Sequence, residues 1–217
     1  MNVNLIAVDE AHCISEWGYD FRPSYLNIAD IRPLHKKAPI VALTASATPP
    51  VVKDIQQKLQ FKKTNVIAKS FARENLAYFV NWDEQKIDKA ERIAKKLKGS
   101  GIIYARSRMG TERITRALKE RGLSVDFYHA GLEAQARSEK QNSWFLGKTQ
   151  IIVATNAFGM GIDKANVRFV LHFDIPDALE NYYQEWGRAG RDGKKAFSVA
   201  LITSKDVEHF ERKVKQA

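Results

Sequence analysis

From Leu76 onward, short apolar runs alternate with amphipathic stretches, and this alternation limits the fold more than any other feature of the chain. Ile102–Ala105, Val125–Tyr128, Ile151–Ala154, Arg168–Phe173 and Phe197–Ile202 read as strands. Asp83–Lys98, Met109–Arg121, a segment ending near Phe145 and a last one from Lys205 to about Lys215 read as helices. In the first of these, Ile87, Ala90, Ile93, Ala94 and Leu97 fall on one face, at the 3.6-residue period of an amphipathic helix. Repeated strand–helix succession is the pattern of a parallel α/β sheet. Gly122 stands where a left-handed residue closes a helix.

The first third of the chain is sparser. Leu5–Val8 reads as a continuously buried strand that runs straight into Asp9-Glu10-Ala11-His12. A helix is expected over Pro23–Arg32 and a strand over Pro39–Leu43. The small run Thr44–Thr48 follows, then a helix over Pro49–Gln60 with Thr48 as its cap. A short strand is expected at Asn65–Ala68. Two adjacent carboxylates at the carboxyl end of a parallel strand sit where open α/β sheets bind ligands. One can hold Mg²⁺ while the other orients a water for phosphoryl transfer; a capped loop is the plain alternative.

Charge narrows the partners. Thirty-five Lys and Arg against 25 Asp and Glu leave a net charge of +10 over 217 residues, an excess that suits a polyanion such as nucleic acid. Cys13 is the single cysteine, which excludes an internal disulfide and a multi-cysteine zinc site in this chain. No apolar stretch approaches the roughly 20 residues of a membrane span, and the start has no signal-peptide pattern. The expected setting is intracellular, cytoplasmic or nucleoid-associated, with no membrane partner. Gly147-Lys148-Thr149 imitates the end of a phosphate-binding loop. Asn142 stands where that loop needs glycine, and Trp144, Phe145 and Leu146 fill the gap.

Two glycine-rich segments stand out in the second part: AFGMGIDK at 157–164, after the strand Ile151–Ala154, and QEWGRAGRDG at 184–193. The second places Arg188 and Arg191 three apart on an expected helix that opens into glycine, and arginine forks grip phosphate oxygens from two sides. CISEWGYDFRPSY (13–25) after DEAH, TASAT (44–48), IIYARSR (102–108), YHAGL (128–132) and these two segments together resemble the RecQ family of DNA helicases, in family order and over nearly the whole chain.

That resemblance implies an α/β fold of RecA-like parallel sheets flanked by helices, one helicase lobe partial and one complete. Residues 1–70 are then the end of a first RecA-like domain, 71–75 a hinge and 76–217 the second domain; Glu74 replaces a proline usual in the hinge. By resemblance, Asp9 holds Mg²⁺ through water, Glu10 activates the attacking water, and His12 with Thr44, Ser46 and Thr48 couples hydrolysis to motion. Gly161, Asp163, Gln184, Arg188 and Arg191 face ATP, with Arg191 as arginine finger. Trp17, Phe21, Arg22 and Thr155 contact single-stranded DNA, where stacking on aromatic rings contributes about 1–3 kcal/mol per base. Glu16, Tyr19, Ala105 and Arg106 depart from common family residues.

The implied activity is an ATP-dependent 3′-to-5′ DNA helicase in recombination and repair, with ATP, Mg²⁺ and single-stranded or partly duplex DNA as partners. In the family a Walker A lysine comes before DEAH, and a zinc module comes after the second domain. Neither occurs in these 217 residues, so the chain is expected to be a fragment without zinc and inactive alone. A non-catalytic nucleic-acid-binding module and a DEAD-box-like RNA helicase are the alternative readings. Oligomeric state is left open.

Overall fold

The computed structural model describes residues 3–16, 20–70, 72–159 and 162–216. Its contacts divide into two units, Met1–Phe71 and Ala72–Ala217.

In the smaller unit, β1 (Ile6–Val8) pairs in parallel with β2 (Ile40–Ala42), Ile6 opposite Ile40 and Val8 opposite Ala42. Ile6 and Val8 are buried but Ala7 is exposed, so this strand is covered on one face, not on both as its apolar run suggests. The covering side chains are Ala11, Ile14, Val51, Ile55 and Leu59. α1 (Pro49–Lys58) supplies Val51 and Ile55, and it starts with proline in its first turn. Thr48 is its N-cap residue, yet its side chain makes no capping hydrogen bond.

In this unit one expected helix takes a tighter form and one expected strand fails. Pro23–Ile31 winds as a 3₁₀ helix rather than an α-helix, with no buried residue. Ser24, Asn27 and Asp30 offer side-chain alternatives to the α-helical ladder, while Tyr25, Ile28 and Ile31, partly buried, pack against the core. Asn65–Ala68 is not a strand; Val66 is exposed and Ile67 is 94% exposed. Apolar β-branched residues form a strand only when a neighbouring strand takes their hydrogen bonds.

The larger unit consists of β3 (Leu76–Trp82), α2 (Lys86–Lys96), β4 (Ser100–Tyr104), α3 (Arg108–Glu120), β5 (Val125–Tyr128), α4 (Ala134–Phe145), β6 (Ile151–Ala154), β7 (Val167–His172), α5 (Leu179–Trp186), β8 (Ala196–Ile202) and α6 (Ser204–Gln216). All six strands are parallel, in the order β3-β8-β7-β4-β6-β5. The inner strands β4 and β6 are buried throughout, which accounts for their continuous apolar runs. Alternate residues feed opposite layers: Ile102, Tyr104, Ile152 and Trp144 on one face, Ile103, Val153, Phe169 and Leu118 on the other. The Trp144 indole nitrogen donates to Gly101 O at 3.1 Å, so the tryptophan of the false phosphate loop is a core residue. Gly122 closes α3 at φ +79°.

β3 has no counterpart among the sequence expectations. It is an edge strand on which Leu76 alone is buried while Phe79, Val80 and Trp82 are exposed, so neither alternation nor a buried run marks it. Among the described residues no helix is long and apolar enough to cross a membrane.

Candidate functional site

Asp9 and Glu10 leave the carboxyl end of β1. Asp9 is exposed, and its Oδ1 accepts from the Glu10 amide at 2.9 Å. Glu10 takes a left-handed backbone, φ 48°, which turns the chain sharply into the short helix Ala11–Ile14. A single exposed carboxylate, acceptor-only, fits an Mg²⁺ ion that keeps most of its waters.

His12 is 2% exposed, with Nδ1 3.0 Å from Thr44 Oγ1 and 3.4 Å from Glu10 Oε2. Thr44 Oγ1 also accepts from the Ser46 amide at 3.3 Å. Four of the expected residues, Glu10, His12, Thr44 and Ser46, therefore meet. Thr48 stands outside this set of hydrogen bonds. Burial lowers the His12 pKa from 6.5 despite the carboxylates around it, so the imidazole is neutral near pH 7. Its partner Thr44 lies in the loop after β2, which makes this a link between two strand ends.

Phe21 lies under Lys58 Nζ, 5.7 Å from the ring centroid. Arg22 donates to Asp20 Oδ2 at 2.6 Å, and that bond holds the Asp20 pKa below its ordinary value. Burial, with Asp20 beside it, pushes the Cys13 thiol up to about 11. Trp17 lies outside the described residues.

In the larger unit the two arginines are not on a helix. α5 ends at Trp186, and Arg188 and Arg191 stand in the turn that follows. Gly190 within it has φ +62°, and a Cβ there would meet Asn75 Nδ2 at 2.6 Å and Ala196 Cβ at 2.8 Å. The helix stops with Gly187 as its C-cap, and the turn brings both guanidinium groups to the loop after β6. Arg188 Nη1 donates to Gly159 O at 2.5 Å, and a Cβ on Gly159 would meet Arg188 Nη2 at 2.6 Å. Gly159 thus makes room for an arginine. Arg191 Nη1 donates to Asp163 Oδ1 at 2.8 Å and to Ile162 O at 3.3 Å.

Asp163 is an exposed carboxylate, and Gln184 lies on α5. Thr155, at the end of β6, is 9% exposed, and its amide donates to Tyr128 O. A nearly buried threonine offers little surface to a DNA backbone. Gly161 lies outside the described residues.

Three groups of residues escaped the sequence reading. Arg73 and Asn75, expected as part of a hinge, hold the arginine turn. Arg73 donates to Gly187 O at 3.1 Å and to Gly190 O, and Asn75 Nδ2 donates to Gly190 O at 2.8 Å and Lys194 O at 2.9 Å. All four bonds span more than 110 residues of sequence, and no local pattern announces them. His172 is fully buried with Nε2 2.9 Å from Glu185 Oε2, stacked on Tyr104 and tilted against Tyr182. Tyr104 Oη donates to Phe158 O at 2.9 Å, and burial raises its pKa. Thirdly, Tyr104, Arg106, Asn156, Asp174 and Asn181 line a polar cleft of about 160 Å³ near the carboxyl ends of β4, β6 and β7, the edge where parallel sheets receive ligands.

Residues 85–193 match the family model described as "Helicase conserved C-terminal domain". The chain is 47% identical over 211 residues to the ATP-dependent DNA helicase RecQ of Bacillus subtilis, covering 95% of this chain and 35% of that protein. It is 41% identical over 220 residues to the RecQ-like DNA helicase blm-1 of Caenorhabditis elegans, covering 96% and 22%. The chain thus spans about a third or less of the curated relatives it matches. Among solved structures it resembles Saccharomyces cerevisiae Dbp5 bound to RNA and ADP BeF3, with a TM-score of 0.74 at 19% identity over 99% of this chain and 57% of that one. It also resembles the Mycobacterium smegmatis helicase Lhr bound to ssDNA and AMP-PNP, with a TM-score of 0.74 at 22% identity over 92% and 28%. At such identities these two establish the fold, a RecA-like parallel sheet flanked by helices. The matched segment contains both the loop after β6 and the arginine turn, and the chain belongs to the helicase conserved C-terminal domain family.

Proposed function

We propose that this chain is the motor portion of a RecQ-type ATP-dependent DNA helicase, moving 3′ to 5′ along single-stranded DNA and opening duplex DNA during recombination and repair. The observation that carries this reading is the pair of guanidinium groups held at the loop after β6, Arg188 on Gly159 O and Arg191 on Asp163. Arg191 is held by one carboxylate. A γ-phosphate carries more charge and more oxygens than Asp163, and it competes for the same fork.

Arg191 then stabilises the charge that develops on the transferring phosphoryl group, and Arg188 stands beside it. When bound, Mg²⁺ neutralises phosphate charge in such sites; Asp9 is its ligand through water, and Glu10 orients the attacking water. His12, tied to Thr44, carries the state of the carboxylate pair to the segment Thr44–Thr48. Phe21 and Arg22 with Trp17 meet the DNA, and the net charge of +10 favours that polyanion. We place this work inside the cell.

These 217 residues contain no GxxxxGK[ST] segment, so we expect hydrolysis to need a phosphate-gripping lysine from outside them. The test is single-stranded DNA binding over rising salt, beside ATP hydrolysis with and without DNA, on this chain and on Arg191→Ala. DNA binding whose affinity falls with salt, unchanged by the substitution and without turnover, is the expected result. Absence of DNA binding even at low salt would sink the nucleic-acid reading. Turnover that vanishes in Arg191→Ala would show a phosphate cradle within these residues.

A further inference from the structure

Cys13 and the segment Asp20–Arg22 meet. The Arg22 amide donates to Cys13 O at 2.8 Å, and three side chains of different chemistry converge there. Cys13 Sγ lies 3.7 Å from His12 Nε2 and 3.6 Å from Asp20 Oδ2, and one donor atom from each residue falls within 4.8 Å of the others. A tetrahedral zinc ion, with a Zn–S bond of about 2.3 Å and Zn–N or Zn–O bonds of about 2.1 Å, sets sulfur and its neighbouring ligand atoms about 3.6 Å apart.

The surroundings have the form of a ligand shell. His12 Nδ1 faces Thr44 Oγ1 and Glu10 Oε2. A proton held on Nδ1 leaves the lone pair of Nε2 directed at the cluster, as in metal-bound histidines oriented by an outer oxygen. Asp20 is steadied from outside by Arg22. His12 and Cys13 are buried, and half-buried Asp20 opens the cluster to solvent, which leaves a fourth position for water.

We propose that His12, Cys13 and Asp20 form a binding site for one borderline-soft divalent cation, Zn²⁺ by its ligand set, that fastens His12 and Cys13 to Asp20. One sulfur, one imidazole and one carboxylate select zinc over magnesium, which separates this site from the exposed carboxylate of Asp9. The thiol proton passes to solvent as the thiolate binds. Because metal binding joins residues already close in the fold, its free energy adds to the contact between Cys13 and Asp20.

Cys13 is the only thiol, so a thiolate-to-cobalt charge-transfer band in the untagged chain reports this residue alone. Titration with Co²⁺ is expected to give a saturable band with one ion per chain. Zn²⁺ should displace it, excess Mg²⁺ should leave it intact, and Cys13→Ser should lack it. His12→Gln and Asp20→Asn should each weaken binding by about tenfold or more. No band in the parent chain at millimolar Co²⁺ would leave a hydrogen-bonded cluster only and overturn the proposal. So would affinity unchanged in both His12→Gln and Asp20→Asn. Should Cys13→Ser fail to fold, zinc K-edge absorption on the parent chain decides: one sulfur with nitrogen or oxygen neighbours is expected, and a shell without sulfur overturns it.

Discussion

Arg191 reaches across 28 residues of sequence to place Nη1 2.8 Å from Asp163 Oδ1, joining the turn after α5 to the loop after β6. Both side chains are more than a third exposed, at 38% and 81%, and such surface pairs contribute about 0–1 kcal/mol. The pair holds a position rather than the fold. Arg191→Ala is expected to leave urea-unfolding stability within about 1 kcal/mol of the parent. In a longer protein that hydrolyses ATP, the same change should lower kcat by about 10³-fold or more. A large stability loss with turnover preserved would assign Arg191 to the fold instead.

Gly190 gives the sharper structural test. Its φ of +62° and the atoms within 3 Å of a would-be Cβ, from Asn75, Ala196 and Lys194, leave alanine neither the conformation nor the space. Gly190→Ala should cost more than about 1 kcal/mol and displace both arginines, measured by denaturant unfolding and by the exposure of Trp186 in fluorescence. Asn75→Ala should act in the same direction more weakly, since it removes two hydrogen bonds to the turn.

The buried ion pair of the larger unit has a pH signature. Lys86 Nζ donates to Asp206 Oδ2 at 2.7 Å and to Phe173 O at 2.6 Å, and Asp206 also accepts from the Thr203 amide and hydroxyl. Burial opposes the Asp206 charge, but the hydrogen bonds from Lys86 and Thr203 outweigh it and hold the pKa below 3.8. A carboxylate with a depressed folded pKa contributes stability that is present above its unfolded value and lost as pH falls through the folded one. Stability should therefore drop below about pH 4, and Asp206→Asn should flatten that drop. At pH 7 the substitution leaves Lys86 buried and uncompensated, at a cost of about 3–5 kcal/mol. Urea unfolding of both proteins from pH 7 to pH 3 checks both expectations.

Exchange of backbone amides should divide the chain. β4 and β6 are inner strands of a six-stranded sheet covered on both faces, whereas β1 and β2 form a two-stranded sheet in which Val41 is 42% exposed. Amides of β1 and β2 should be less protected than those of β4 and β6 by about tenfold or more. Equal protection in a monomer would mean that the smaller unit is as cooperative as the larger.

What was legible in the sequence was whatever rests on local repetition. β4, β5, β6 and β7 are short runs bounded by turn residues, and the order of motifs along the chain marked the loops after β1 and β6. Edge strand β3 gave no such signal, because one neighbouring strand and open solvent demand neither alternation nor continuous burial. The apolar run Asn65–Ala68 promised a strand and formed none, since a strand needs a partner that its own residues cannot specify.

The sequence by itself determined the chemistry that the loops carry: two carboxylates after β1, one thiol at position 13, two arginines separated by glycine. The tertiary structure alone decided how those groups are held. It ended α5 at Trp186, with Gly187 as its C-cap, set Gly190 left-handed against Asn75 in the turn that follows, and put Arg188 on Gly159 and Arg191 on Asp163. It also drew Cys13, His12 and Asp20 to one point. Directional contacts between residues far apart in the chain leave no periodic trace in the residues that make them, and packing fixes them only after the strands are in place.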